Sequence, residues 1–230
     1  MFGGRGAIGR AVCSRHAALG WAVTATSRSA VVGIDTGLAR WVVCNPARGP
    51  ASPPQLEAGK PYAAVVWAQG ANTRDSVIDV DPAQHLEIYL ANCVFVLQTL
   101  RMLLDRGLLS QPTRLVIVSS IWQRIARQEK LSYIMSKAAI GGLVQSASID
   151  LAGRGVLINA VLPSALDTAM TAASLTQAQI DGIAGATGFG RLISVDEVVA
   201  AIEFLCSSRN TGITGQSIAV DLGFSHARHV

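Results

Sequence analysis

Short apolar runs alternate along this chain with longer stretches of helical periodicity. Four runs of four to six residues have the β-branched, apolar character of strands buried on both faces. They are residues 21–26 (WAVTAT), 62–67 (YAAVVW), 115–118 (LVIV) and 156–161 (VLINAV), with shorter candidates at 40–43 and 217–220. Helical stretches are predicted between them, notably 134–151 and 195–206. Strands that alternate with helices predict one α/β domain over residues 1–230, a doubly wound parallel sheet.

A long helix is predicted to begin at Asp81-Pro82, because aspartate caps helices and proline suits the first helical position. Its apolar positions lie on one face of the helix. They are Leu86, Leu90, Val94, Leu97 and Leu104.

The chain opens with glycines spaced for a tight backbone turn. Gly3, Gly6 and Gly9 form Gly-x-x-Gly-x-x-Gly, and an amphipathic helix follows to about Leu19. Such a turn lets the backbone approach a pyrophosphate at the helix N-terminus, and it normally follows a strand. No strand precedes it here, so the predicted sheet lacks its first strand or has it truncated. A natural start further upstream, which we favour, a rearranged sheet, and a partner chain that fills the gap are the three explanations.

Composition excludes several classes of function. Hydrophobic residues make up 50% of the chain, charged residues 15%, and the net charge is +4. Lysine and arginine form no block with aromatic residues, so nucleic-acid binding is not expected. The four cysteines are scattered without metal-ligand spacing, which predicts no metal site and a reducing compartment. No apolar run reaches the ~18–20 residues of a membrane span. A cytoplasmic protein is expected.

Candidate chemistry gathers between the strand at 115–118 and the helix that follows. Tyr133 and Lys137 are four residues apart, so they share a helix face, and the ammonium is expected to lower the phenol pKa. Ser120 lies at the carboxyl end of the strand, the edge where open α/β sheets bind ligands. A phenol, a cation and a hydroxyl together suit hydride transfer at C=O or CH–OH. The two-residue Tyr-x-x-x-Lys motif alone is a weak signal.

The spacing of four polar residues along the chain makes this signal more specific. Ser120 lies thirteen residues before Tyr133, Lys137 four after it, and Asn92 twenty-eight before Ser120. This set resembles the catalytic signature of the short-chain dehydrogenase/reductase family, in particular its 3-oxoacyl-[acyl-carrier-protein] reductase type, and the likeness runs from Gly3 to Gly223. The resemblance implies a Rossmann-like fold, catalysis by Asn92, Ser120, Tyr133 and Lys137, and a homo-oligomer, dimer or homotetramer.

The resemblance also implies a nicotinamide cofactor. The expected cofactor-binding residues are Gly3, Arg5, Gly6, Ile8, Gly9, Arg28, Gly70, Tyr133, Lys137, Pro163 and Thr168. Ser27-Arg28-Ser29 carries no acid where the second strand ends, and Arg28 can pair with a 2′-phosphate. NADPH is therefore preferred, with NAD possible. The chain departs from the family pattern at Phe2, at Ala7, in Trp67-Ala68-Gln69-Gly70, which stands for Asn-Asn-Ala-Gly, and at Ser164.

These features predict an NADPH-dependent, ketoreductase-like oxidoreductase that acts on a small carbonyl or acyl substrate. Residues 169–190 are expected to form a substrate lid. One alternative is a catalytically silent, cofactor-binding or assembly subunit, favoured by the missing strand and the altered WAQG segment. A sugar-nucleotide epimerase or dehydratase is less expected, because that class usually carries an added C-terminal substrate domain.

Overall fold

The computed structural model describes residues 1–30, 39–45, 56, 61–168, 171 and 175–226. Its strands are β1 (Thr24–Ser27), β2 (Arg40–Val43), β3 (Tyr62–Trp67), β4 (Leu109–Val118), β5 (Val156–Pro163) and β6 (Ser217–Val220). Its α-helices are α1 (Ala7–Ala18), α2 (Pro82–Tyr89), α3 (Phe95–Asp105), α4 (Leu131–Asp150), α5 (Gln177–Gly185) and α6 (Val195–Cys206). A π-helical turn, Leu90–Val94, joins α2 to α3.

The strands are all parallel and form two ladders, β1–β2 and β3–β4–β5–β6. The first residues of the chain, Met1–Gly4, lie between the ladders in the place of a central strand. Phe2 bridges to Trp67 in parallel, donating to Val66 O at 2.8 Å and accepting from Ala68 N at 3.0 Å. On the other side, Thr26 N donates to Met1 O at 2.8 Å. The sheet is therefore not rearranged: its first strand is a short segment that joins both neighbours.

Aromatic packing anchors this segment. The Phe2 ring stacks on Trp67 with centroids 5.5 Å apart and meets Phe95 edge-on at 5.8 Å. Trp67 is fully buried and donates from Nε1 to Thr99 Oγ1 at 2.8 Å. Aromatic pairs of this kind contribute about 0.5–1.5 kcal/mol beyond the area they bury. Behind Met1, a cavity of about 20 Å³ remains between the edges of β1 and β3.

Helices cover both faces of the sheet, as predicted for a doubly wound fold. On one face α1 and α6 pack on β4 and β5 through a cluster that includes Val12, Val116, Val161 and Ile202. On the other face α3 and α4 pack on β3–β5. The four cysteines are free and buried, in keeping with a role as small core side chains.

The predicted apolar face of the long helix is largely exposed. Leu86, Leu90 and Leu97 are 60%, 51% and 52% exposed, whereas the buried side is formed by Ile88, Asn92, Phe95, Val96, Thr99, Leu100 and Leu103. The helix is apolar around much of its circumference, so periodicity alone did not identify the inner face. From Pro82 to Asp105 it is long and apolar enough to cross a membrane by length and composition. Its packing against the sheet is that of a core helix.

Most predicted element bounds are confirmed. The strand expected at 21–26 occupies Thr24–Ser27, and the helix expected from 134 begins three residues earlier, at Leu131. The strands at 40–43, 62–67 and 217–220 and the helix at 195–206 have the expected bounds. Within the expected lid the structure contains α5, and positions 169–170 and 172–174 lie outside the described residues.

Candidate active site

Ser120 lies at the carboxyl edge of the sheet, two residues after β4 ends. Its backbone is extended, and its Oγ accepts a hydrogen bond from Trp122 N at 3.3 Å as the chain turns into a short 3₁₀ helix, Ile121–Gln123. The residue is buried, so its hydroxyl is held at the sheet edge, as the sequence predicted.

Lys137 and Tyr133 occupy successive turns of α4. Lys137 is only 4% exposed, and its Nζ donates to the carbonyl of Val118 at 3.1 Å. The same Nζ lies 5.6 Å from the centre of the Tyr133 ring. Burial lowers the pKa of Lys137 to about 8, because the charged ammonium loses its hydration. Such an amine holds a proton near neutral pH and releases it under mildly alkaline conditions.

The Tyr133 pKa differs from the sequence-based expectation. Burial raises the pKa of this phenol, and a hydrogen bond with the Ser120 side chain opposes that increase. The predicted lowering by Lys137 is wrong for this structure. The Lys137 ammonium faces the aromatic ring, so it interacts with the π system. The phenol is therefore neutral at physiological pH, a proton donor that is already hydrogen-bonded to Ser120.

Asn92 lies in the π-helical turn between α2 and α3. The predicted bend in this helix is thus present as a wider turn, a common device at functional sites. The Asn92 side chain is 2% exposed and makes three hydrogen bonds. It accepts from Ala71 N at 2.7 Å, donates to Ala71 O at 2.9 Å and donates to Ser136 Oγ at 2.9 Å. These bonds hold the residue between the loop after β3 and α4.

Gly70 brings this loop close to the same cluster. A Cβ at position 70 would lie 3.3 Å from Asn92 Oδ1 and 3.7 Å from Lys137 Nζ. Gly70, Asn92 and Lys137 therefore meet at one point, and Lys137 is one helical turn from Tyr133, which hydrogen-bonds Ser120. The structure thus brings together the four candidate catalytic residues and Gly70, a candidate cofactor-binding residue like Tyr133 and Lys137.

The glycine turn before α1 is packed against its own backbone. Gly3 has φ +76°, and a Cβ there would lie 2.5 Å from Gln69 N. A Cβ at Gly9 would lie 2.2 Å from Gly3 O. Gly6 caps α1 without a side-chain hydrogen bond, and the first turn carries no acidic residue. Backbone N–H groups at a helix start of this kind suit an anion, so the turn fits the pyrophosphate of a dinucleotide.

The other candidate cofactor residues are spread along the carboxyl edge and the α1 start. Arg28 is exposed and directly follows β1, and Arg5 is exposed in the glycine turn. Ile8 is half-buried on α1, and Pro163 ends β5. Thr168 Oγ1 accepts from Thr171 N at 3.3 Å, in a stretch that otherwise lies partly outside the described residues.

Several polar residues of the site were not identified from the sequence. Ser136, between Tyr133 and Lys137, accepts from Asn92 and donates to Tyr133 O at 2.8 Å. The Gln69 amide and the Ser119 hydroxyl are buried without a hydrogen-bond partner. Ser136 lies three residues after Tyr133, so helical spacing could have identified it. Nothing local marked Ser119, and the sequence marked Gln69 only as a departure from the family pattern.

Comparison with known proteins identifies the family. Residues 61–225 match the profile of the enoyl-(acyl carrier protein) reductase family of short-chain dehydrogenases. The chain is 32% identical over 165 residues to the uncharacterized oxidoreductase YmfI of Bacillus subtilis (strain 168), covering 72% of this chain and 68% of that protein. It is 31% identical to (-)-isopiperitenol/(-)-carveol dehydrogenase of Mentha piperita, covering 66% of this chain and 59% of that protein.

A third relative is the 3-oxoacyl-[acyl-carrier-protein] reductase FabG of Salmonella typhimurium, 31% identical over 48% of this chain and 45% of the reductase. The fold is similar to the aldohexose dehydrogenase AldT of Thermoplasma acidophilum, with TM-score 0.87, 22% identity, and coverage of 100% and 94%. It is also similar to a mutant 4-hydroxyisoleucine dehydrogenase complexed with NADH and succinate, with TM-score 0.88, 18% identity, and coverage of 100% and 98%. The chain belongs to the short-chain dehydrogenase/reductase family, oxidoreductases that act on CH–OH and C=O groups with a nicotinamide cofactor.

Proposed function

We propose that this protein is an NADPH-dependent, ketoreductase-like oxidoreductase that reduces a small carbonyl substrate or runs that reaction in reverse. One observation carries the proposal. The neutral Tyr133 phenol is hydrogen-bonded to Ser120, one helical turn from the buried Lys137 ammonium. A proton donor, a hydroxyl and a cation at the carboxyl edge of the sheet match what reduction of a C=O group requires.

Each side chain has a distinct task in this proposal. The Ser120 hydroxyl binds the substrate oxygen, and the Tyr133 phenol donates a proton to it. Lys137, with a pKa of about 8, holds a positive charge beside the phenol and helps to replace the proton. Asn92, fixed by Ala71 and Ser136, keeps the wide helical turn in place beside Lys137. When bound, the nicotinamide cofactor supplies or accepts the hydride.

The preference for NADPH rests on charge. Arg28 is exposed immediately after β1, and residues 24–30 contain no acidic side chain that would repel a 2′-phosphate. The exposed Arg5 adds a second cation near the start of α1. NAD stays a possible cofactor, since a structural relative is a complex with NADH.

Exposed apolar side chains support a homo-oligomer. Leu86, Leu90 and Leu97 on the long helix and Met135 and Ile149 on α4 are between 47% and 77% exposed. Because α2 and α4 contact each other, these side chains belong to neighbouring surfaces. Apolar surface of this kind marks a protein interface, and we propose a dimer or tetramer built on it. The substrate is proposed to enter beneath a lid that contains α5.

A silent cofactor-binding subunit stays a second candidate because one observation favours it. The buried Gln69 side-chain amide has no hydrogen-bond partner in the WAQG segment, which packs against Gly3 of the glycine turn. A weakened cofactor site would leave a protein with the family fold and little turnover.

The test is a fluorescence titration of the purified chain with NADPH and with NADH, followed by NADPH oxidation assays on a panel of aldehydes, ketones and 3-oxoacyl thioesters. We expect tighter binding of NADPH and turnover of at least one carbonyl. Tyr133→Phe should reduce turnover by about 10²–10⁴-fold, because proton transfer of this kind contributes that much. Its NADPH affinity should stay unchanged.

Tyr62→Phe is the matched control. Tyr62 begins β3, at the end of the strand opposite the candidate active site, so this variant should keep full activity. Cofactor binding without turnover of any carbonyl would favour the silent subunit. Loss of both turnover and binding in Tyr133→Phe would overturn the role given to the phenol.

A further inference from the structure

Helix α4, which carries Tyr133 and Lys137, does not cap its own start. Lys130 occupies the N-cap position without a side-chain hydrogen bond, and the first turn contains no acidic residue. The free N–H groups instead meet Asp75, 57 residues away in the loop after β3. Leu131 N donates to Asp75 O at 3.2 Å, and Ser132 N donates to Asp75 Oδ1 at 3.1 Å. A distant carboxylate therefore does the work of a local cap.

The Ser132 side chain extends this contact to a third element. Ser132 is fully buried, and its hydroxyl donates to Asp75 Oδ2, itself 96% buried. Ser132 Oγ also lies 2.8 Å from His85 Nδ1 on α2. A hydroxyl has one hydrogen, and here the carboxylate takes it, so His85 Nδ1 must be the donor in the second bond. Asp75, Ser132 and His85 thus join the β3 loop, α4 and α2.

A second set of bonds holds α4 one turn further on. Asn92 Nδ2 donates to Ser136 Oγ at 2.9 Å, and Ser136 Oγ donates to the carbonyl of Tyr133 at 2.8 Å. Tyr133 therefore lies between two serines, Ser132 and Ser136, each bonded to a group from outside the helix. Lys137 has its own anchor at Val118 O. The first turn of α4 has only Asp75 as its cap. The position of Lys137 does not depend on that cap, because its own hydrogen bond to Val118 O holds it.

We propose that Asp75 and Ser132 are positioning residues that hold the first turn of α4, and so the Tyr133 phenol, against Ser120. The proposal rests on the catalytic role given to Tyr133 above. Without the Asp75 side chain the first turn of the helix frays, because the N–H and the hydroxyl of Ser132 lose their acceptor. The phenol then leaves its bond with Ser120, while Lys137 stays beneath the end of β4.

The test compares Asp75→Ala, Asp75→Asn and Ser132→Ala with Asp81→Ala as a matched control. Asp81 caps α2 through Ala83 N at 2.9 Å, so its loss removes a cap of the same type from another helix. Hydrogen–deuterium exchange of the apo protein reports on residues 131–137. Asp75→Ala should speed exchange there by about tenfold or more, as expected for lost bonds to a charged group. Asp81→Ala should leave that segment unchanged.

A second readout follows the phenol itself. The chain has three tyrosines, so ¹³C-labelled tyrosine gives three signals, and Tyr133→Phe assigns the one that matters. Burial raises the Tyr133 pKa. Asp75→Ala should move that pKa down toward its ordinary value, because the freed turn admits water. Asp75→Asn keeps an oxygen that accepts from Ser132 N but removes the negative charge. In this variant the Tyr133 pKa should stay raised, and the exchange of residues 131–137 should stay as slow as in the parent protein. An equal decrease in both variants would mean that the charge of Asp75, not its cap, acts on Tyr133, and would overturn the proposal.

Turnover of whichever carbonyl the panel identifies completes the experiment. Asp75→Ala should lower kcat with an NADPH affinity close to that of the parent, and Asp75→Asn should recover most of the rate. Ser132→Ala should lie between them. Unchanged exchange in Asp75→Ala would overturn this inference even if the enzyme is active. If no carbonyl is reduced by the parent protein, the proposed function fails, and exchange and the tyrosine signal still decide whether Asp75 holds the turn.

Discussion

The catalytic region, residues 61–168, and the N-terminal region, residues 1–45, are built on different chemistry. In the catalytic region, buried polar side chains are bonded across distant elements, as Asn92 is to Ala71 and Ser136. In the N-terminal region the expected cofactor contacts come from glycine backbone and exposed arginines. The family profile begins at residue 61, so it covers the first region and not the second.

This difference teaches where each region is vulnerable. The stability of a region with a buried side chain such as Lys137 depends on whether that side chain is charged, because its surroundings cannot solvate an ammonium. A glycine turn is sensitive to added side-chain volume, because its backbone atoms are already in contact. An exposed arginine responds to the ionic environment. Each of the following changes therefore acts on one region through one physical property.

The largest effect is expected from the pH dependence of Lys137. Its folded pKa of about 8 lies below the ordinary 10.5, so between these values the unfolded chain binds a proton that the folded chain does not. The free energy of unfolding contributed by this group therefore rises with pH, by about 3 kcal/mol across the window. Urea unfolding of the parent and Lys137→Met from pH 7 to 10.5 measures the difference. Half-buried Lys130, as Lys130→Met, should give a smaller change. Equal slopes for the parent and Lys137→Met would show that Lys137 is better solvated than its burial indicates.

A smaller effect is expected in the glycine turn. Gly9→Ala would place a methyl group 2.2 Å from Gly3 O and 3.0 Å from Gly4 Cα, so the backbone must shift. Overpacking of this kind costs about 1–3 kcal/mol, which predicts roughly tenfold to hundredfold weaker NADPH binding in a fluorescence titration. Gly142→Ala, on α4 and outside the candidate cofactor site, is the control, since its methyl group would meet no neighbouring atom within 4 Å. Equal NADPH affinity in the two variants would show that the glycine turn does not contribute to cofactor binding.

The smallest effect is expected from the exposed arginine after β1. Arg28→Ala should weaken NADPH binding by about tenfold and leave NADH binding unchanged, because one charge-assisted contact with the 2′-phosphate is lost. The selectivity should also decrease as salt is added. Arg154→Ala, an exposed arginine at the opposite end of the sheet, controls for net charge. Parallel losses for both cofactors would show that Arg28 does not distinguish them.

Local signals explain which parts of the fold were predictable. Helix α6 has the predicted bounds, because Ser194 and Glu197 form a capping box at its start. Ser120 and the Tyr133–Lys137 pair followed from strand and helix periodicity. The inner face of Pro82–Asp105 was not predictable, since apolar residues surround the helix. Position 75 carried no local signal, because its partner Ser132 lies 57 residues away.

The direction of the Tyr133 pKa failed for a related reason. The spacing of Tyr133 and Lys137 gives their helix face but not the position of the ammonium relative to the phenol oxygen. The structure directs Lys137 toward Val118 O and over the ring, so burial controls the phenol. Desolvation depends on everything that surrounds a group, and sequence spacing carries little of that information.

The Met1–Gly4 segment also connects two parts of the sheet, the β1–β2 ladder and the β3–β4–β5–β6 ladder. In the described residues, the backbone hydrogen bonds that join β1 to β3 all pass through Met1–Gly4. Breaking those bonds and the Phe2–Trp67 stack would leave the β1–β2 ladder attached through side-chain packing, in the core cluster that contains Val42 and Val65. The Met1–Gly4 segment therefore provides the backbone hydrogen bonding between the two ladders. Because the glycine turn continues directly from this segment, separation of the two ladders would also displace the turn that is the candidate pyrophosphate site.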